Sequence, residues 1–152
     1  MLNSDWLWEK INMKYRVFII EDNQAIRSVY HQIINREIDI RISGEAASAA
    51  EGLTKLATVD ADVIVLDLGL PDQSGLALLV QIKQQYPSIP VLVVSGHLAY
   101  FYRPRVLKLG ASGYIDKMTV VGVLANAIRI TARGHIYEAT ETDPDFQKDI
   151  PT

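Results

Sequence analysis

Residues 62–75 read DVIVLDLGLPDQSG, and the opening of that stretch decides the fold. Asp62 to Asp67 (DVIVLD) is a nearly continuous apolar run, the pattern of a strand whose sheet is buried on both faces. Tyr15 to Glu21 (YRVFIIE) and Pro90 to Ser95 (PVLVVS) have the same character. Ile40 to Ala46 and Gly113 to Asp116 complete five strand candidates, and stretches of helical period separate them. Such alternation builds an α/β fold with a parallel sheet covered on both sides.

The intervening helices carry readable marks. Ile26, Val29, Tyr30, Ile33 and Ile34 form a stripe at i, i+3, i+4, i+7 and i+8 that turns toward the sheet. Ser48 and Glu51 stand at capping-box spacing ahead of Leu53 and Leu56. Ser74 is expected to cap a third helix bearing Leu79, Ile82 and Tyr86, which ends before Pro87 because the residue ahead of a proline is pushed out of helical geometry. Pro104 suits a first helical turn, so the fourth helix is expected to start near Arg103, with HLAYFY (residues 97–102) as a loop. Thr119 is expected to cap the last helix, with Val120, Leu124, Ala127 and Ile128 on its buried side and Gly134 at its end.

At 152 residues and 49% apolar content the chain suffices for one core. Its net charge of −3 comes from interspersed charges, with no Lys/Arg cluster to neutralise a run of phosphates, which argues against nucleic-acid binding by this chain alone. Absence of cysteine excludes disulfides and thiolate metal sites. No apolar run approaches the roughly 20 residues that span a bilayer. MLNSDWLWEK (residues 1–10) has neither the basic start nor the apolar stretch of a signal peptide, so the expected location is cytoplasmic. Residues 1–12, with Trp6, Leu7, Trp8 and Ile11, suit either a short amphipathic helix or an unstructured leader. Residues 138–152 (EATETDPDFQKDIPT) read as a linker or frayed tail.

In an open parallel sheet, ligands bind beyond the carboxyl ends of the strands. The polar residues expected there are Glu21, Asp22, Asp67, Ser95 and Lys117. Three converging carboxylates repel one another, so the cluster needs a cation. Magnesium fits, because it takes oxygen ligands and leaves positions open for phosphate. Lys117 supplies a point charge and Ser95 a hydrogen bond for phosphoryl oxygens. Asp67 is then the nucleophile of a phosphoryl-transfer site and forms an acyl phosphate. Each residue alone has a bland reading: an Asp ending a strand is more often a turn or cap, a Lys there is usually solvated, and a Ser before glycine is often a turn. Five of them at one sheet edge favour the joint reading.

FIIEDN (18–23), VIVLDLGLPDQSG (63–75), VLVVSGH (91–97) and GASGYIDK (110–117) resemble, in order, the acidic pair, phosphoacceptor loop, switch hydroxyl and lysine segments of response-regulator receiver domains, the CheY-like superfamily. Asp67, Pro71 and Gly75 reproduce that family's D-x-x-x-P-x-x-x-G spacing. GEAASAAEGL, LKLGASGYIDK and AIRITARGHIY most resemble its NarL/FixJ (LuxR-type) subfamily. The resemblance implies a flavodoxin-like (βα)5 three-layer sandwich with strand order 2-1-3-4-5. It divides the chain into an extension (1–13), a receiver (14–134) and a tail or interdomain linker (135–152). It implies Asp67 as phosphoacceptor assisted by Ser95 and Lys117, and direct magnesium ligation by Asp22, Asp67 and the backbone carbonyl of Gly69. Glu21 then acts through water, and Ser95 and Tyr114 form a switch. Implied partners are a sensor histidine kinase or phosphotransfer protein, and a second copy through the face of helix 4, strand 5 and helix 5, near Tyr100, Phe101, Tyr102 and Val106. Such a chain is not an enzyme in the ordinary sense, although it catalyses its own phosphorylation and dephosphorylation.

Three departures accompany the resemblance. Met118 follows Lys117 where many receivers have proline, Glu21 replaces the commoner Asp, and His97 stands two residues beyond Ser95, where the family tunes acyl-phosphate hydrolysis. A haloacid-dehalogenase-like phosphatase needs a second acid two residues after its nucleophile, and Gly69 stands there instead. A nucleotide-binding domain would show a glycine-rich loop after the first strand. A phosphorylation-independent interaction module is opposed by the complete set of acids, hydroxyl and lysine. NarL/FixJ-like receivers usually precede a helix-turn-helix domain of roughly 60 residues, so the expectation is either a stand-alone receiver or the front of a transcription regulator.

Overall fold

A computed structural model of the chain describes residues 14–96 and 99–138, the side chains of residues 99 and 100 excepted. The expectations for the leader, for His97, for the Tyr100 side chain and for the end of the tail lie outside the described residues. The elements are β1 (Tyr15–Ile20), α1 (Gln24–Asn35), β2 (Ile40–Ala46), α2 (Ala49–Leu56), β3 (Val63–Leu66), α3 (Gly75–Gln85), β4 (Val91–Ser95), α4 (Ala99–Lys108), β5 (Gly113–Asp116) and α5 (Val120–Ala132). Every strand pairing is parallel and the order is β2-β1-β3-β4-β5, as the resemblance implied.

Successive side chains of a strand face opposite ways, so the apolar strands feed two cores. Val17, Ile19, Val63, Val65, Leu92, Val94 and Ile115 meet α1 and α5 on one face. Phe18, Ile20, Ile64, Leu66, Val91, Val93 and Tyr114 meet α2, α3 and α4 on the other. Complete burial of each such aliphatic side chain contributes about 1.5–3 kcal/mol, and these two layers hold the sheet in place. The α1 stripe packs as expected, with Tyr30, Ile33 and Ile34 buried and Ile26 and Val29 against the same core. Val120, Leu124, Ala127 and Ile128 of α5 are likewise buried.

Several local expectations are corrected. Helix α4 starts at Ala99, not near Arg103, and Pro104 lies inside it. Pro104 removes one helical hydrogen bond, to the carbonyl of residue 100. Packing outweighs that loss: Val106 is fully buried, Tyr102 rests on the same core, and the Arg105 guanidinium lies 4.1 Å over the Phe101 ring. Thr119 precedes α5 but does not cap it with its side chain. Its hydroxyl donates instead to the Asp116 carbonyl at 3.1 Å. Helix α3 ends one residue early, leaving Tyr86 as its C-cap with φ −131°, as the following Pro87 requires. Ser48 does accept from the Glu51 N–H at 3.2 Å, while the reciprocal bond of the capping box comes from Ala47.

Gly134 follows α5 with φ +89°, the left-handed conformation that ends helices. Contact with the core continues beyond it. Tyr137 is buried, and its N–H donates to the Ser112 carbonyl at 2.7 Å, just ahead of β5. Among the described residues, no helix is long and apolar enough to cross a membrane.

Candidate functional site

Backbone bonds carry the sheet one residue past its strands and thereby place the site. The Glu21 N–H donates to the Ala46 carbonyl, the Asp67 N–H to Ile20 and the Lys117 N–H to Ser95, each at 3.0 Å. Glu21, Asp67 and Lys117 continue the alternation of Ile19, Val65 and Ile115, so all three side chains fall on the α1/α5 side of the sheet edge. Lys117 Nζ stands 3.1 Å from Asp67 Oδ1 and 3.3 Å from Glu21 Oε1. Carboxylate oxygens of Glu21, Asp22 and Asp67 all lie within 4.8 Å of one another. Gly69 is beside them, an added Cβ there falling 3.8 Å from Asp67 Oδ2.

The loop between β3 and α3 depends on one glycine. A Cβ on Gly75 would lie 2.3 Å from Leu68 Cα and 2.7 Å from the Asp67 carbonyl oxygen, so α3 can start this close to the loop only without a side chain. After the strand, Asp116 Oδ1 accepts from the Met118 N–H at 2.8 Å and turns the chain so that Lys117 faces the acids. No described peptide bond is cis, so the Lys117–Met118 bond is trans.

Charge in this pocket is unbalanced. Glu21 is 1% exposed and Asp67 5%. Burial, reinforced by the negative charge of Asp67 and opposed by Lys117, pushes the Glu21 carboxyl up to about 7. Its Oε1 meets Lys117, but Oε2 is buried without a hydrogen-bond partner. Leaving a buried acceptor unsatisfied costs on the order of 1–3 kcal/mol. Three carboxylates facing one ammonium, all oxygen donors and one of them orphaned, fit a hard divalent cation such as magnesium.

Ser95 and Tyr114 belong to the other side of the sheet. Ser95 continues the alternation of Val91 and Val93, and both it and Tyr114 are fully buried. Arg103 of α4 donates to the Tyr114 carbonyl at 3.4 Å, tying that helix to β5. Of the aromatic surface expected here, Phe101 is half exposed and Tyr102 half buried, whereas Val106 is a core residue and not part of a surface.

Two residues escaped the reading of the sequence. Arg27 donates from Nη1 to the Glu21 carbonyl at 2.6 Å and to the Asp22 carbonyl at 3.0 Å. Asp72, in the loop between β3 and α3, accepts from the Ala49 and Ala50 N–H groups at 2.9 Å each and so caps α2 across the loop. The only signal for Arg27 is its place in the first turns of the helix that follows the acids.

A parallel α/β sheet of order β2-β1-β3-β4-β5 with three acids and a lysine gathered at its carboxyl edge defines a class of receiver-like α/β module, and similarity to known proteins makes the class specific. The family model of the response regulator receiver domain matches residues 17–129, and the chain belongs to that family. VraR of Staphylococcus aureus, a response regulator, is 31% identical over 122 residues, which are 80% of this chain and 58% of VraR. The chain thus spans little more than half the length of the curated relatives it matches. A LuxR-family response regulator from Aurantimonas sp. SI85-9A1 superposes with a TM-score of 0.77 at 26% identity, covering 90% of this chain and 94% of that one. A CheY-like receiver domain protein from Methanospirillum hungatei gives 0.71 at 27% identity, covering 79% of this chain and 94% of that one. RcsB of Salmonella typhimurium shares the fold with a TM-score of 0.78 at 22% identity, over 84% of this chain and 64% of RcsB. Similarity thus points to the LuxR-type branch that the sequence motifs suggested.

Proposed function

We propose that this receiver accepts a phosphoryl group on Asp67 and converts it into a change of protein contacts. The observation that carries the proposal is the Asp67 carboxylate itself, buried beside Lys117 Nζ at 3.1 Å and within 4.8 Å of two further acids. An Asp67 oxygen attacks the phosphorus of a phosphohistidine on a kinase or phosphotransfer protein, the P–N bond breaks, and the imidazole leaves with a proton. Asp22, Asp67 and the Gly69 carbonyl would hold magnesium directly and Glu21 through water. When bound, magnesium neutralises the acids and the incoming phosphoryl oxygens. Lys117 exchanges its contact with Asp67 for one with a phosphoryl oxygen, and Ser95 donates a hydrogen bond to another. Movement of Ser95 toward that group frees space in which Tyr114 and α4 rearrange. The self-catalysed transfer and hydrolysis belong to this reading, as does a cytoplasmic location.

We further read residues 14–134 as the receiver, residues 1–13 as an extension and residues 135–152 as a connector. The output is regulation of transcription through a DNA-binding domain, as the likeness to LuxR-type regulators suggests, with dimerisation through α4, β5 and α5.

The test is intact-mass spectrometry after incubation with magnesium and acetyl phosphate. The wild type should gain about 80 Da, lose it in hydroxylamine, and Asp67→Asn should gain nothing. A wild type that gains no mass with this donor or with a panel of histidine kinases overturns the proposal and leaves a constitutive interaction module as the better reading.

A further inference from the structure

We propose that Arg27 is a positioning residue that fixes the backbone carrying Glu21 and Asp22, and so sets the magnesium affinity of the acidic cluster; the inference rests on the magnesium reading above. The acids lie past the last residue of β1, Ile20, on the short link into α1. Asp22 is exposed, and among the described residues its carboxylate has no hydrogen bond or ion pair of its own. With no side-chain partner to hold it beside the other acids, only its backbone restrains where that carboxylate stands. That backbone is held from below: the Arg27 side chain, only 17% exposed, curls back along α1 and bridges two successive carbonyls through Nη1. Bridging both peptide planes restricts the rotation by which either carboxylate could leave Asp67.

The clamp is itself restrained. Arg27 Nε lies 4.0 Å from Glu45 Oε1, and the other oxygen of Glu45 meets His31 Nε2 at 2.7 Å. Lys55 Nζ donates to the Glu45 carbonyl at 2.8 Å. Groups of α1 and α2 thus hold Glu45 at the end of β2, and Glu45 in turn stands beside the guanidinium, which touches no carboxylate of the cluster. Groups that orient metal ligands in this indirect way typically matter 10- to 100-fold in affinity.

The test is a magnesium chloride titration of the full chain, followed by amide NMR shifts of residues 21–23 and 67–69, with phosphoramidate phosphorylation measured at saturating magnesium. Arg27→Ala should raise the magnesium Kd about 10-fold, while the rate at saturating magnesium stays within about twofold of wild type. If Arg27→Ala does not fold, Arg27→Gln, whose shorter amide cannot bridge both carbonyls, reads the same shift. A folded variant with an unchanged Kd overturns the inference. So does a saturating rate that falls as far as the affinity, because Arg27 would then act on the reacting atoms. Wild-type amides that ignore magnesium overturn both this inference and the magnesium reading, whereas wild-type binding with unchanged variants overturns this one alone.

Discussion

The two sides of the central sheet solve different problems at the same edge. On the α1/α5 side, Glu21 and Asp67 are buried next to each other, and one oxygen of Glu21 has no partner. On the α2–α4 side, Ser95 and Tyr114 sit in a layer of Phe18, Leu66, Val93 and Val106 that is fully packed. The first side stores an electrostatic penalty that a bound cation would relieve, and the second stores packing energy. Under the proposed function both are needed: the charged side would make the site responsive to ligand, and the packed side would make the response cooperative, since close-packed side chains move together.

The sharpest break of this comparison is Tyr114→Ala. Removing a fully buried aromatic from the packed side should cost about 3–5 kcal/mol in urea unfolding, with magnesium affinity little changed. A cost near zero would mean that this side is not the stabilising one. Substituting on the charged side should act with the opposite sign. Glu21→Gln removes the buried charge, so at pH 8 in EDTA the variant should be more stable than the wild type by on the order of 1–3 kcal/mol.

The pH dependence follows from the same group. The folded-state value near 7 is above the ordinary 4.5, so between them the folded protein holds a proton that the unfolded chain gives up. Stability of the magnesium-free protein should therefore fall as pH rises from about 4.5 to 7, and Glu21→Gln should abolish that slope. Thermal melts in EDTA across this range check it.

A smaller effect of the opposite slope belongs to the rim. The Arg129 guanidinium holds Asp39 below its ordinary value, and Arg16 does the same for Asp62. Each pair's contribution is present above the unfolded carboxylate range and is lost as pH falls through the depressed folded value. Both pairs are partly exposed, so each should contribute only about 0.2–1 kcal/mol. Melts of wild type and Arg129→Gln, taken from neutral pH down into the acid range, read the first contribution as a difference in stability that closes as Asp39 is protonated.

The difference between α1 and α4 shows how far local sequence reaches. In α1 the apolar stripe of Ile26, Val29, Tyr30, Ile33 and Ile34 packs on the core as its spacing says, and Asn23 Oδ1 caps the helix by accepting from the Ile26 N–H. In α4, Pro104 argues for a later start, and only the burial of Val106 and Tyr102 against residues far along the chain reverses it. The same limit applies at the site. The spacing of Asp67, Pro71 and Gly75 is a local pattern and legible as such. The burial of Glu21 and the bonds of Asp72 to the start of α2 are not written in any one segment, and although Arg27 reaches carbonyls only five and six residues back, no pattern of residue types marks that contact.

What the sequence determined by itself is therefore the set of elements, their order and the residues that gather at the sheet edge, because hydrophobic period and motif spacing act over a few residues. Only the tertiary structure decided that Glu21 lies 1% exposed with one oxygen unpaired, that Asp72 caps α2 from another loop, and that α4 runs through its proline. Desolvation and hydrogen bonding depend on what the rest of the chain brings alongside a residue, and that is fixed by packing between segments remote in sequence.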